Sequence, residues 1–198
     1  MIAPSSLLFL LSLSLLRGIS SARNVPSNLR NLYNTLKSNG TCSNKDGTSF
    51  VNMDIDCDGT QGSPADDKHC YKKGIRDLDA NIHRYVVFGN TGKKSGWKTF
   101  DPQKHGIKLL SLMAVVCEDQ LIYGIWGDMN GDDGPHPMVG EASTSLATAC
   151  YGKKHITGDN GHDQDNVLYI AFTGDDAVPG ANGANWAATN YKAFESSI

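Results

Sequence analysis

The sequence predicts a mainly β (α+β) domain: a six-stranded β-barrel with an N-terminal helix and short inserted helices. Three observations lead there. Apolar runs at 109–116 and 121–126 are separated by the polar Cys117-Glu118-Asp119-Gln120, which is the pattern of a hairpin. Further strand-like runs lie at 84–88, bounded by Gly89 and Asn90, and at 166–172. Helical spacing is confined to short segments, at 26–38 and 142–149.

Taken in order, residues 1–22 read as a secretory signal peptide. The apolar run 7–16 has the length of an h-region, and Ser20-Ser21-Ala22 offers small residues for cleavage. One domain, 23–198, follows. Pro26 suits a first helical turn, and Leu29, Leu32, Tyr33 and Leu36 repeat at helical spacing until Gly40. Residues 43–49 are turn-like, and 59–74 read as a polar surface loop. The strand at 84–88 leads into a second polar loop, 90–106, and then the hairpin. A helix over 142–149 turns Leu146 and Ala149 inward, a strand covers 166–172, and 185–196 has helical character. No internal repeat is present. The order of strand, hairpin, strand ending in Asp, glycine-rich loop, Gly-Glu and short helix is similar to that of double-psi β-barrels.

Composition narrows the partners. The 198 residues carry a formal net charge of −3, and loss of 1–22 removes one Arg and no acid. That balance disfavours nucleic acid and suits a cationic partner. The run 7–16 is too short to span a bilayer, so no membrane association is expected after cleavage. A monomer is expected. Five cysteines, an odd number, are mostly oxidised in a secreted chain, and their pairing is not readable from spacing. Asn39-Gly40-Thr41 is a glycosylation sequon.

The chemistry concentrates in Tyr123-Gly-Ile-Trp-Gly-Asp128 and Val139-Gly-Glu-Ala-Ser143. Asp128 ends an apolar run beside Trp126, and Glu141 opens a helix after Gly140. These differing surroundings are what a protonated and an ionised carboxyl need if they are to divide the work of acetal hydrolysis. Locally, the same residues are equally a turn acid and a helix-start acid. Asp54-x-Asp56-x-Asp58-Gly59 begins like a calcium loop, but its twelfth position is Ala65 rather than Glu. Asp128-x-Asn130-x-Asp132 begins similarly, with Asp133 where the sharp turn needs Gly. An acidic cleft wall is the simpler reading of both. His155 and His162 lie near Asp159, Asp163 and Asp165 without metal-ligand spacing. No Gly-x-Ser-x-Gly, phosphate loop or dinucleotide glycine pattern occurs. Trp126 is the best candidate for stacking on a sugar face.

Longer strings carry a resemblance. Asn52-Met-Asp-Ile-Asp-Cys-Asp-Gly59, Ile75-Arg-Asp-Leu-Asp-Ala-Asn-Ile-His83, Tyr85-Val-Val-Phe-Gly89 and Phe100-Asp-Pro-Gln-Lys104 belong to it. So do Met113-Ala-Val-Val-Cys117, Gly124-Ile-Trp-Gly-Asp128, Val139-Gly-Glu-Ala-Ser143, Gly161-His-Asp163 and Val167-Leu-Tyr-Ile-Ala-Phe172. Over most of the chain after residue 22 this resembles the fungal chitosanases of glycoside hydrolase family 75. The resemblance implies endo-hydrolysis of the β-1,4 bonds of chitosan with inversion, and no metal or organic cofactor. It carries the essential Asp and Glu onto Asp128 and Glu141. Glu141 is then expected as general acid and Asp128 as general base. Asp54, Asp56, Asp58, Trp126, Asn130 and Asp132 are expected to contact substrate. Only nine residues separate Cys42 from Asn52, where the family carries a longer segment with a further Cys. The alternative is a secreted calcium-stabilised or carbohydrate-binding module without catalysis.

Overall fold

A computed structural model of the chain describes residues 23–38, 50–57, 77–92, 95, 99–131, 139–157 and 160–198. The expected signal peptide, the sequon, Cys42, Cys70, Trp97, Asp58 and Asp132 lie outside the described residues.

Six strands close into a barrel. They are β2 (Phe50–Asp56), β3 (Tyr85–Asn90), β4 (Leu112–Cys117), β5 (Gln120–Asn130), β6 (Val139–Ser143) and β7 (His162–Ala171). Around the wall the order is β5-β3-β6-β2-β7-β4, and β4 pairs with β5 to close the ring. A two-residue strand, β1 (Arg23–Asn24), adds to β5. The β4–β5 hairpin forms where the apolar runs predict it. Two pairs are parallel, β2 with β6 and β3 with β5, which requires crossing connections rather than simple hairpins.

Alternation along the strands sorts side chains between two faces. Met53, Val86, Met113, Val115, Ile122, Trp126, Ala142 and Val167, at least one from each of the six barrel strands, fill the barrel. Outside, helix α1 (Ser27–Ser38) covers Ala114, Val116, Leu121 and Leu168 with Tyr33, and the Tyr33 hydroxyl donates to the Asn166 carbonyl at 2.6 Å. The C-terminal segment covers Tyr85, Val87 and Ile125 with Phe194 of helix α3 (Tyr191–Glu195). Helix α2 (Thr144–Tyr151) starts at Ser143, whose Oγ accepts from the amides of Leu146 and Tyr85. A disulfide joins Cys117 to Cys150 and so ties the hairpin turn to the end of α2. Among the described residues Cys57 is an exposed free cysteine.

One alternative and two expectations need correction. Residues 50–56 form a central strand, so Asp54 and Asp56 belong to no wrapped calcium loop. Glu141 lies within strand β6 and opens no helix; the cap is Ser143. Asp128 does not end its strand, because β5 runs on to Asn130. In each case pairing with strands distant in sequence outweighs local acid and glycine signals.

His83 fastens the C-terminal segment. Its Nδ1 accepts from the Asp79 amide at 2.7 Å, its Nε2 lies 3.2 Å from the Trp186 carbonyl, and its ring meets Phe194 edge-on at 4.8 Å. Burial pushes its pKa below the usual histidine value, although the Trp186 carbonyl and Asp79 oppose the shift. The folded chain therefore binds this proton less readily than the unfolded chain. Stability from this group is complete above a pH of about 6.5 and is lost as pH falls from there toward the lower folded value. The melting temperature should drop over that acidic interval, and His83→Gln should flatten the drop. An unchanged profile in the variant would assign the acid sensitivity elsewhere.

Candidate active site

Asp128 and Glu141 flank a single residue of the strand between them. Val87 on β3 is the register partner of Asp128 on β5 and of Glu141 on β6. One strand further, Asp54 on β2 is the partner of Glu141. A row thus runs Asp128, Val87, Glu141, Asp54 across four neighbouring strands. Met53, Val86 and Ala142 fill the barrel, so their chain neighbours Asp54, Val87 and Glu141 face out. The row lies on the outer wall, with buried Val87 as an apolar floor between the two acids.

Two irregularities aim the acids. Between the partners of Val86 and Val87 the β5 strand advances two residues, from Trp126 to Asp128, leaving Gly127 as the extra residue of a bulge. A Cβ on Gly127 would lie 2.5 Å from the Tyr85 Cβ, so no larger residue fits. Between the partners of Val87 and Phe88 the β6 strand likewise advances two, from Glu141 to Val139, leaving Gly140. Gly140 adopts a φ of +128°, a backbone state closed to ordinary side chains. Each acid therefore follows a bulged glycine, one on each side of Val87. This is the structural meaning of the Gly-Asp and Gly-Glu pairs.

Hydrogen bonds hold the side chains. The Met129 amide donates to Asp128 Oδ1 at 2.7 Å, and the Trp126 indole donates to the Asp128 carbonyl at 2.7 Å. Asn130 Nδ2 donates to Glu141 Oε2 at 3.0 Å. Asn52 Nδ2 donates to Asp54 Oδ1 at 3.0 Å, and the Asn52 carbonyl accepts from the Tyr169 hydroxyl at 3.3 Å. Burial raises the Tyr169 pKa well above its ordinary range, and the charges of Tyr151, Asp54 and Glu141 add to the shift. Tyr169 is thus a neutral hydrogen-bond donor near the acidic row.

The expected site residues divide clearly. Asp128, Asn130, Glu141 and Asp54 come together, and Asp56, half-buried, is the partner of Ser143 further along β2. Trp126 is a correction: its side chain is 0% exposed within the barrel, so it supports Asp128 and offers no face to a ligand. Sequence reasoning missed Val87 as part of the site. Only its place in the strand-like run 84–88 hinted at it. A cavity of about 650 Å³ is lined by Gln120, Tyr151, His155, Gly161 and His162; none of the row's residues lines it, although Gly161 lies against the backbone of Asp54. There His162 stacks on Tyr151 at 4.0 Å.

Two carboxyls across an apolar floor are suited to opposite halves of an acid–base reaction. Residues 53–198 match the family described as fungal chitosanase of glycosyl hydrolase group 75. The chain belongs to this family. An Aspergillus oryzae protein named endo-chitosanase is 47% identical over 169 residues, covering 79% of this chain and 67% of that relative. An Aspergillus fumigatus endo-chitosanase is 42% identical over 231 residues, covering 96% of this chain and 92% of its own. Endo-chitosanase B of Aspergillus oryzae is 47% identical over 165 residues, covering 77% of this chain and 65% of that relative. The 231-residue alignment is longer than this 198-residue chain, so the Aspergillus fumigatus chitosanase carries residues with no counterpart here. Both bulge-aimed acids lie within the residues that match the group 75 family.

Proposed function

We propose that this chitosanase-family hydrolase is a secreted, monomeric endo-chitosanase that cleaves β-1,4 bonds between glucosamine units with inversion. The observation that carries the reading is the placement of Asp128 and Glu141 on either side of Val87. Two strand spacings separate their backbones by about 10 Å. An inverting arrangement, in which the carboxyls stand roughly 6.5–9.5 Å apart with a water between substrate and base, fits within that backbone spacing.

In this mechanism Asp128 accepts a proton from that water as its oxygen attacks the anomeric carbon. Glu141 gives its proton to the glycosidic oxygen as the carbon–oxygen bond breaks. The products are a new reducing end and a free hydroxyl. Asp128 is left protonated and Glu141 ionised, and exchange with solvent restores both. The step needs side chains and water alone.

Chitosan is a polycation below the pKa of its amines, so an acidic wall concentrates it. Asp54, exposed and one strand from Glu141, is the nearest partner for a glucosamine ammonium. Asp56, further along β2, extends the same field. Cleavage after Ala22 would release a chain beginning at Arg23.

Proton NMR of a digest tests the reading. Chitosan incubated with the protein should lose chain length quickly, with the α-anomer of the new ends appearing first. No release of ends would sink the assignment, and first appearance of the β-anomer would sink inversion.

A further inference from the structure

We infer that Asn130 is a positioning residue for Glu141, and that its task is to hold one carboxyl oxygen so that the other carries the catalytic proton. This rests on the proposed chitosanase reading for its kinetic consequences, but not for its structural basis. Asn130 ends β5, two residues past Asp128, and its side chain crosses over β3 to reach a carboxyl on β6.

The backbone of Asn130 is fixed independently of the contact. It pairs with Asn90, and its carbonyl accepts from the Thr91 amide at 3.2 Å. Asn90 is buried and exchanges two backbone bonds with Phe100, both at 2.8 Å. The Asn90 side chain accepts from the Gly92 amide at 3.0 Å. The amide is thus delivered to Glu141 from a braced strand end, which limits the orientations the carboxyl can take.

The direction of the hydrogen bond defines the role. Asn130 Nδ2 is a donor, so Oε2 is the acceptor and takes no part in proton donation. Oε1 remains to carry the proton toward the glycosidic oxygen. When the proton leaves, the neutral bond becomes a charge-assisted one, which stabilises the carboxylate as it forms. A contact that strengthens only as the proton moves acts on the rate of the chemical step rather than on substrate affinity. A residue that instead gripped the sugar would act mainly on KM.

Asn130→Asp is the sharpest variant. It has nearly the same shape, but places an acceptor and a like charge against Glu141. Asn130→Ala removes the donor without adding charge. Two measurements decide. Kinetics on chitosan should show kcat lower by about 10–100-fold in either variant, with KM within about twofold. The alkaline limb of the pH profile should move to higher pH, further in the Asp variant. Separately, the side-chain carboxyl carbon of Glu141, followed by 13C NMR in protein without substrate, should titrate at higher pH in both variants than in the wild type. That second readout stands even if the wild-type protein releases no ends from chitosan, in which case the functional reading fails and this one does not. An unmoved Glu141 titration, or a raised KM with kcat preserved, would overturn the inference and return Asn130 to substrate binding. If the Ala variant does not fold, the Asp variant decides by the same criteria.

Discussion

Asp128→Asn and Glu141→Gln are each expected to lower kcat on chitosan by about 10²–10⁴-fold, the span that positioned acid–base groups supply. Folding should survive both changes. The amide oxygen of Asn can still accept from the Met129 amide, as Asp128 Oδ1 does, and the amide oxygen of Gln can still accept from Asn130. Neither site fills the barrel. The two variants should separate when the leaving group is changed. A glycoside whose leaving group needs no protonation bypasses the acid, so Glu141→Gln should recover much of its rate on such a substrate. Asp128→Asn should not, because water still needs its base. Recovery by Asp128→Asn alone would reverse the two roles. Near-wild-type cleavage of chitosan by both folded variants would remove the pair from the site altogether.

The second large effect concerns stability. Glu195→Ala is expected to cost about 3–5 kcal/mol, because it leaves the buried Arg84 charge without its partner. Arg84 Nη1 lies 3.0 Å from Glu195 Oε1, with the Arg84 side chain 1% exposed. The guanidinium also lies 5.7 Å from the Tyr191 ring centre. Burial pulls the Arg84 pKa below its ordinary value, and Glu195 restores part of the loss. Arg84 Nε has no hydrogen-bond partner among the described residues, so the site has little else to offer the charge. The expected readout is a melting temperature lower by roughly 6–20 °C for a domain of this size. Replacing both members together, as Arg84→Met with Glu195→Leu, should recover most of the loss, since an apolar pair leaves no stranded charge. A Glu195→Ala protein that melts like the wild type would show that Arg84 finds other solvation. The Arg84 member of the ion pair lies close in sequence to the candidate active site. Arg84 precedes β3, and three residues later Val87 forms the floor between Asp128 and Glu141.

Some of this was legible residue by residue. The helical repeat of Leu29, Leu32 and Tyr33 marks α1 to within one residue of its start, because amphipathic spacing is a local property. The hairpin follows from two apolar runs and a polar turn. Strand β2 was not read as a strand, because its acids at every second position suggested an acidic wall or the opening of a calcium loop. That same recurrence, with Val51, Met53 and Ile55 between Asn52, Asp54 and Asp56, is the period of a strand with one wet face. The acids drew attention and the alternation did not. Trp126 was misjudged for a different reason. An aromatic two residues before an acid is compatible with stacking on a sugar or with filling a core, and only the closed barrel shows which side of the wall it occupies.

The sequence by itself determined the chemistry on offer: two carboxyls, each behind a glycine, in ordered strings that belong to one hydrolase family. It also determined that a cationic substrate suits the chain. Tertiary structure alone decided that Asp128, Val87, Glu141 and Asp54 form one row, that Asn130 touches Glu141, and that Trp126 lies inside. The physical reason is register. Side-chain spacing along a strand is set by neighbouring residues, but which residue faces which across parallel strands depends on crossing connections and on bulges at Gly127 and Gly140.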